Sequence, residues 1–312
     1  MTSPMMTRRS ALFAAAAAPL AVPALMTRPA FAAAEMQGAQ TPVFNRFKLG
    51  GFEVTTLLAG TRPVEKPNEI FGLNATPEEF NAAAAANFIP TDVAQFFFTP
   101  TLVNTGTELV LFDTGLSAEG TGAAMAAAGI APEQVDVVVL THMHGDHIGG
   151  MMTEAGAPTF ANARYVTGSV EHNHWAGAAN EGFDKMVKPM NDKMTFLEDG
   201  GAVSSGITAM SAAGHTPGHM IYMLESNGQR LAITADTANH YVWSLAHPEW
   251  EVRFDMDKAA AAATRKTVFG MLAADKVPFI GYHMPFPGMG YVEARDSGFR
   301  YVPVSYQMML NG

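Results

Sequence analysis

An α/β sandwich, two mixed sheets packed face to face with helices on the outer faces, is the fold this sequence predicts. Three observations carry it. Short apolar runs bounded by Gly, Pro, Asn and Asp alternate with longer helix-like segments, and the series occurs twice. Two such sets bury their apolar faces as two stacked sheets under helices. No Pro/Ser/Gly-rich linker and no internal repeat divides the 312 residues, so residues 33–312 are expected to form a single domain. Hydrophobic residues make up 48% and charged residues 15%, a composition that supplies a large core and excludes a disordered chain.

Each element has its own local signal. Residues 44–49 and 52–58 flank Gly50-Gly51, a hairpin signature. Residues 59–73, with Pro63, Pro67 and Gly72, read as a long loop. Thr76-Pro77-Glu78-Glu79 joins a capping box to a proline at the first helical position and predicts a helix over 77–86. One strand is expected over 96–104 and another over 108–113. Residues 121–128 read as a helix closed by Gly129. Residues 135–140 are apolar throughout, as in a strand covered on both faces. Downstream, strands are expected near 164–167, 207–212, 221–225, 230–235, 277–282 and 300–304. Helices are expected over 169–178 and 257–274, the latter capped by Asp257. Residues 179–193 are less regular.

Residues 1–32 differ from the rest. Arg8 and Arg9 precede an uncharged, alanine-rich stretch, and Ala30-Phe31-Ala32 supplies small residues for cleavage, the layout of a secretory signal. Thr7-Arg8-Arg9-Ser10-Ala11-Leu12 resembles a twin-arginine export signal. The expected mature protein is periplasmic or secreted. Stable membrane insertion is not expected, because Pro19, Pro23 and the alanines make residues 10–27 a poor span. The whole chain carries a formal net charge of −10, and processing removes Arg8, Arg9 and Arg28 but no acid. So acidic a chain argues against a nucleic-acid partner and suits a small neutral substrate. There is no cysteine, hence neither a disulfide framework nor a thiolate metal site.

Chemistry concentrates after the apolar strand 135–140, in Thr141-His142-Met143-His144-Gly145-Asp146-His147. His142 and His144, two apart on extended chain, point to one side, and Asp146 and His147 follow where the chain turns. Neutral imidazoles and a carboxylate are the ligand set of zinc and similar metals. Three more ligand types end apolar runs downstream: His215 in Gly214-His215-Thr216-Pro217-Gly218-His219, Asp236 in Thr234-Ala235-Asp236-Thr237, and His283 in Gly281-Tyr282-His283-Met284-Pro285. All can converge on one rim.

In these residues the chain resembles the metallo-β-lactamase superfamily over roughly residues 44–306. Phe254-Asp255-Met256-Asp257, the alanine-rich run ending in Arg265, and His283-Met284-Pro285-Phe286-Pro287-Gly288 are similar to the branch of methyl parathion hydrolase, dihydrocoumarin hydrolases and some acyl-homoserine lactonases. The resemblance implies an αββα sandwich holding two divalent metal ions, foremost Zn2+. His142, His144 and His215 would hold one, and Asp146, His147 and His283 the other. Asp236 would bridge both, and Asp146 and Asp236 are the catalytic carboxylates. The implied reaction is attack of a hydroxide shared by the metals on a lactone or aryl ester, with possible phosphotriesterase activity. Asp113 and His219 are expected to support the ligands, and Trp175, Phe183, His240 and Phe286 to line the substrate pocket. A homodimer is the expected assembly. Two alternatives share the ligand pattern. A glyoxalase II-like thioester hydrolase is opposed by the export signal and the acidic charge. An iron-dependent redox enzyme is opposed by intact His144, which the diiron reductases usually replace. One departure stands out: many homoserine lactonases carry a tyrosine where this chain has Asn239.

Overall fold

The computed structural model describes residue 36, residues 38–295 and residues 297–311; the expected export segment lies outside them. The hairpin at Gly50-Gly51 forms as expected. Its arms β1 (Phe44–Leu49) and β2 (Phe52–Leu57) pair in register, Phe44 opposite Leu57 and Leu49 opposite Phe52. They open a seven-stranded mixed sheet. It continues through β5 (Thr101–Asn104), β6 (Leu109–Phe112), β7 (Val137–Val139), β8 (Arg164–Gly168) and β9 (Met194–Leu197). The strands from β6 to β9 run parallel.

The second seven-stranded sheet holds β10 (Ala202–Ser204), β11 (Ile207–Ser211), β12 (Met220–Ser226), β13 (Gln229–Ala235), β14 (Phe279–Gly281), β15 (Met289–Ala294) and β16 (Phe299–Pro303), in chain order. Only β13 and β14 are parallel. Strand alternation decides which side chains meet between the sheets. Val137 and Val139 of β7 join Tyr222, Leu224, Leu231 and Ile233 in that central core. Val138 points the other way, into the layer under α2 (Ala118–Ala127) and α4 (Ser169–Gly177). On the far side Ile221, Ala232 and Phe279 pack against Val268, Phe269 and Leu272 of α5 (Lys258–Asp275). The expected αββα layering is therefore the observed one.

Local signals set the helix starts. Thr76 and Glu79 form a complete capping box at α1 (Pro77–Ala86), a device that contributes about 1 kcal/mol. Asp257 accepts from Ala260 N–H at the start of α5 (2.9 Å). The helix expected over 121–128 begins earlier, because Ser117 caps it at Gly120 N–H.

Three differences from expectation stand out, and the first two arise from pairing with distant chain. The expected loop 59–73 contains β3 (Gly60–Glu65), which pairs with β4 (Val93–Phe98) in a separate two-stranded sheet. The expected single strand 96–104 is broken at Thr99-Pro100, so that β4 serves the small sheet and β5 the large one. Strands β9, β10 and β15 had no clear local signal. The small sheet and α1 enclose a fourth core cluster around Phe71, Phe80, Phe98 and Trp243, and it walls one side of the cleft described below. Among the described residues no helix is long and apolar enough to cross a membrane.

Candidate metal centre

Parallel pairing places the site. Strands β6 and β7 end side by side, which puts Asp113 against Thr141. Thr141 N–H and Oγ1–H donate to the two Asp113 oxygens at 2.9 and 2.8 Å. Asp113 is held in the left-handed region at φ 59°, an unfavourable conformation for a residue with a Cβ. The chain then runs extended through His142 and His144 into the one-turn helix α3 (Gly145–Ile148), which carries Asp146 and His147. Close approach requires glycine at the motif's end. A Cβ on Gly150 would stand 2.0 Å from the Thr114 carbonyl oxygen.

The second sheet contributes from three separate places. His215 lies in the β11–β12 turn, Asp236 follows β13 and His283 follows β14. Because β13 and β14 are parallel and β11 and β13 both run antiparallel to β12, all three emerge at one edge. Ala235, just before Asp236, is also left-handed at φ 42°.

The seven side chains meet. His144 Nδ1 lies 3.2 Å from His142 Nε2 and 2.9 Å from His215 Nε2. His283 Nε2 is 3.3 Å from Asp146 Oδ2, and His147 Nε2 is 3.7 Å from the same oxygen. Asp236 reaches both groups: Oδ2 stands 3.3 Å from His215 Nε2 and 3.1 Å from His283 Nε2, and Oδ1 stands 3.2 Å from His147 Nε2. Within each of three triads, His142/His144/His215, His142/His147/Asp236 and Asp146/His147/His283, the ligand atoms lie within 4.8 Å of one another.

The outer nitrogens decide what the inner ones can do. Nδ1–H of His147 donates to Asp113 (2.9 Å), that of His215 to Asp255 (2.9 Å) and that of His283 to the Phe97 carbonyl (2.8 Å). In the neutral ring each Nε2 then carries a lone pair aimed at the cluster. His142 is fixed the same way. Thr141 spends its hydroxyl proton on Asp113, so His142 Nδ1–H donates to Thr141 Oγ1 (3.1 Å). His147 Nε2 and Asp236 Oδ1 are buried without a hydrogen-bond partner. Converging lone pairs and orphaned buried acceptors fit cations, and these are the donor atoms of a dinuclear zinc-type site.

Without cations, protons substitute. Burial opposes charge on His215 and His283, yet hydrogen bonds and proximity to Asp236, with Asp255 beside His215 and Asp146 beside His283, raise both to about 9. His147 is likewise raised well above its ordinary value, against burial, by Asp236, Asp113 and Asp146. Burial and the neighbouring imidazoles depress His142 strongly and His144 to about 4.

Asp113 and His219 stand where support was expected, Asp113 behind His147 and His219 with Nε2 accepting from Asp236 N–H (3.2 Å). Other supports were not foreseen. Buried Asp255 is locked by Arg265, which donates at 2.8 Å and also holds the Pro248 and Trp250 carbonyls. Buried Glu171 accepts from Met143 N–H, Trp175 Nε1–H, Thr216 Oγ1–H and Gly218 N–H, tying both ligand loops to α4. Asn239 donates to Asp236 Oδ2 (2.8 Å). In the sequence these are single acids, an amide and an arginine with no local pattern; Asp255 and Arg265, ten apart across a helix start, offered the only hint.

A cleft of about 350 Å³ opens over Asp146, Asp236 and His283, walled by Phe96, Phe98, Leu116 and Phe254 with Arg62 at one side. Trp175 and Phe183, expected in its wall, belong instead to the core under the first sheet, where Trp175 is bound to Glu171. Phe286 is half-buried and lines neither this cleft nor its neighbour, where Pro285 stands instead. His240 lines that neighbouring cavity, not the cleft itself.

Comparison with known proteins places this centre in a family. The model of the metallo-beta-lactamase superfamily matches residues 99–278, more than half of the chain, and the protein belongs to that superfamily. Lactonases are among its structural neighbours. The structure of AidC, a dizinc quorum-quenching lactonase in complex with a product, superposes with a TM-score of 0.78 at 25% identity, covering 86% of this chain and 100% of that one. The hydrolase AbOPH gives the same figures. A quorum-quenching N-acyl homoserine lactone lactonase shares the fold at a TM-score of 0.57 and 16% identity, over 78% of this chain and 100% of that one. Among curated relatives, the anti-Pycsar protein Apyc1 of Paenibacillus sp. (strain J14) is 28% identical over 104 residues, 31% of this chain and 41% of that protein. Ribonuclease Z of Methanothermobacter thermautotrophicus is 52% identical over 44 residues, 14% of this chain and 13% of that protein. The chain thus spans less than half the length of these two relatives.

Proposed function

We propose that this protein hydrolyses the ester bond of lactones and aryl esters, and neutral phosphotriesters as a side activity. The observation that supports this most is the position of Asp236, whose oxygens face His147, His215 and His283 at once. His142, His144 and His215 would hold one metal, Asp146, His147 and His283 a second, and Asp236 both, with zinc the ion best matched to these donors. When bound, the two ions supply Lewis acidity toward the substrate's carbonyl or phosphoryl oxygen and acidify water into a nucleophile near neutral pH.

The chain's own groups do the rest. Asp113, Asp255 and the Phe97 carbonyl hold three imidazoles in the tautomer that presents Nε2 inward. His219 and Asn239 fix Asp236 from behind. Asp146, its side chain 24% exposed, is a carboxylate of the cluster that borders the cleft, placed to take a proton from attacking water and return it to the leaving oxygen. The aromatic wall of Phe96, Phe98 and Phe254 orients a flat or apolar ester over it, and a neutral substrate is not repelled by the acidic surface. The lactonase AidC, similar over its whole length, favours lactones as the first class to try.

Purified, metal-loaded protein should turn over at least one of dihydrocoumarin, an acyl-homoserine lactone, phenyl acetate and methyl parathion; hydrolysis of none of them, with metal content verified, rejects the reading. We further propose export by the twin-arginine route as a single domain and assembly as a homodimer. N-terminal sequencing of periplasmic protein should begin near residue 33, and sedimentation should give twice the chain mass.

A further inference from the structure

Tyr282 follows β14 directly and precedes the ligand His283. Its ring is buried, with its centroid 3.9 Å from that of His147 and its plane inclined by 32°. Its hydroxyl reaches from the second sheet to the half of the site carried by the first, where it donates to the Asp146 carbonyl. The direction is fixed, because a carbonyl oxygen only accepts. The Gly115 N–H lies against the same hydroxyl. The Tyr282 N–H donates to the Ala235 carbonyl (3.3 Å), one residue before Asp236.

The Asp146 carbonyl needs an outside donor because α3 is only four residues long. In a longer helix the N–H four positions on would close on it. That group, Gly150 N–H, donates instead to Thr114 Oγ1 (3.2 Å). The backbone of a residue that lines the cleft is thus held by a side chain from the opposite sheet. The contacts of Tyr282 are also one-sided. It bonds to Asp146, packs on His147 and stands edge-on to His283 (5.0 Å, 87°). Among the described residues it makes no hydrogen bond or ring contact with His142, His144 or His215.

We infer that Tyr282 is the positioning residue of the second metal group: its hydroxyl fixes α3 against the end of β14, at the separation where Asp146, His147 and His283 can share one ion. At that separation Asp146 Oδ2 lies 3.3 Å from His283 Nε2 and 3.7 Å from His147 Nε2. The inference rests on the two-metal assignment proposed above and not on the substrate. Without the hydroxyl, the Asp146 carbonyl loses its donor and α3 can shift. The first group stands on the extended chain before α3 and on the β11–β12 turn, which Tyr282 does not touch.

Tyr282→Phe tests this, since it keeps the ring on His147 and removes only the donor. Zinc titration against a chromophoric chelator reads each ion without any turnover. In a His215→Ala background, where only the second group is complete, Tyr282→Phe should weaken zinc binding about tenfold, as for a lost partner behind metal ligands. In a His283→Ala background, where only the first group is complete, the same substitution should leave affinity unchanged. Equal weakening in both backgrounds shows a general loss of packing and overturns the inference, as does no change in either. Should a background fail to fold, the otherwise wild-type chain decides. Of its two binding steps, Tyr282→Phe should weaken one about tenfold and leave the other. Two ions bound with neither step moved, or both moved alike, reject the inference alone. Fewer than two ions in the wild type rejects the two-metal reading itself, and the inference with it.

Discussion

The two halves of the metal centre are built in opposite ways. On the first sheet four ligands occupy six consecutive positions, held by a neighbouring strand end through Asp113. On the second, each ligand sits on its own segment, and His215 depends on Asp255 and Arg265, forty and fifty residues further along the chain. The first half is nearly a local structure, fixed by one parallel strand pair. The second exists only after the sheet has closed and α5 has docked. Asp236 is where they meet, and it should be the point of greatest sensitivity.

Substitution there should have the largest effect. Asp236→Ala or His215→Ala is expected to remove nearly all hydrolysis; retention of more than about a tenth of turnover with full metal added contradicts the ligand assignment. Metal analysis sharpens the contrast, since Asp236→Ala should lose both ions and His215→Ala chiefly one.

Next come the two supports. Asp255→Asn strips the buried Arg265 of its counter-charge and should destabilise the fold by about 3–5 kcal/mol. Asp113→Asn leaves no buried arginine and should mainly lower metal affinity, about 10- to 100-fold. Denaturant titration beside metal competition distinguishes them, and equal loss of stability in both erases the proposed difference between the halves.

Protonation gives a third comparison, between empty and loaded protein. A histidine whose folded pKa is raised to about 9, as for His215 and His283, stabilises fully below its unfolded value and loses that contribution as pH rises through about 9. Metal-free protein should therefore lose stability between pH 6.5 and 9. Metal affinity should rise over the same range, because the ions displace those protons. Melting curves of both forms across that range check the sign. The smallest effect is expected far from the centre. Thr76→Ala breaks the capping box of α1 and should cost about 1 kcal/mol without altering metal content.

Most of the layered architecture was legible because strand alternation and helix caps are local. The hairpin at Gly50-Gly51, the box at Thr76 and the cap at Asp257 all formed where expected. Strand β3 was not legible, since its partner β4 lies some thirty residues away and Pro63 argues for a loop. The strand over 96–104 hid its break because Thr99-Pro100 matters only when the two arms join different sheets. The aromatic guesses failed for a related reason. Trp175 and Phe183 lie close to metal-bearing segments in sequence, but the side of α4 that carries Trp175, and with it Glu171, faces the core.

By itself, then, the sequence determined the chemistry: the ligand types, their order at strand ends, and the two-sheet architecture that brings such ends to one rim. Those rest on side-chain identity and on periodicities of two and 3.6, which are properties of short stretches. Tertiary structure alone decided which nitrogen of each histidine faces inward, that Asp255, Arg265, Glu171 and Asn239 stand behind the ligands, and that an apolar cavity with His240 in its wall opens beside His283. Most of those depend on contacts between distant segments, such as Asp255 with His215 and Glu171 with Thr216, and local sequence carries little trace of them.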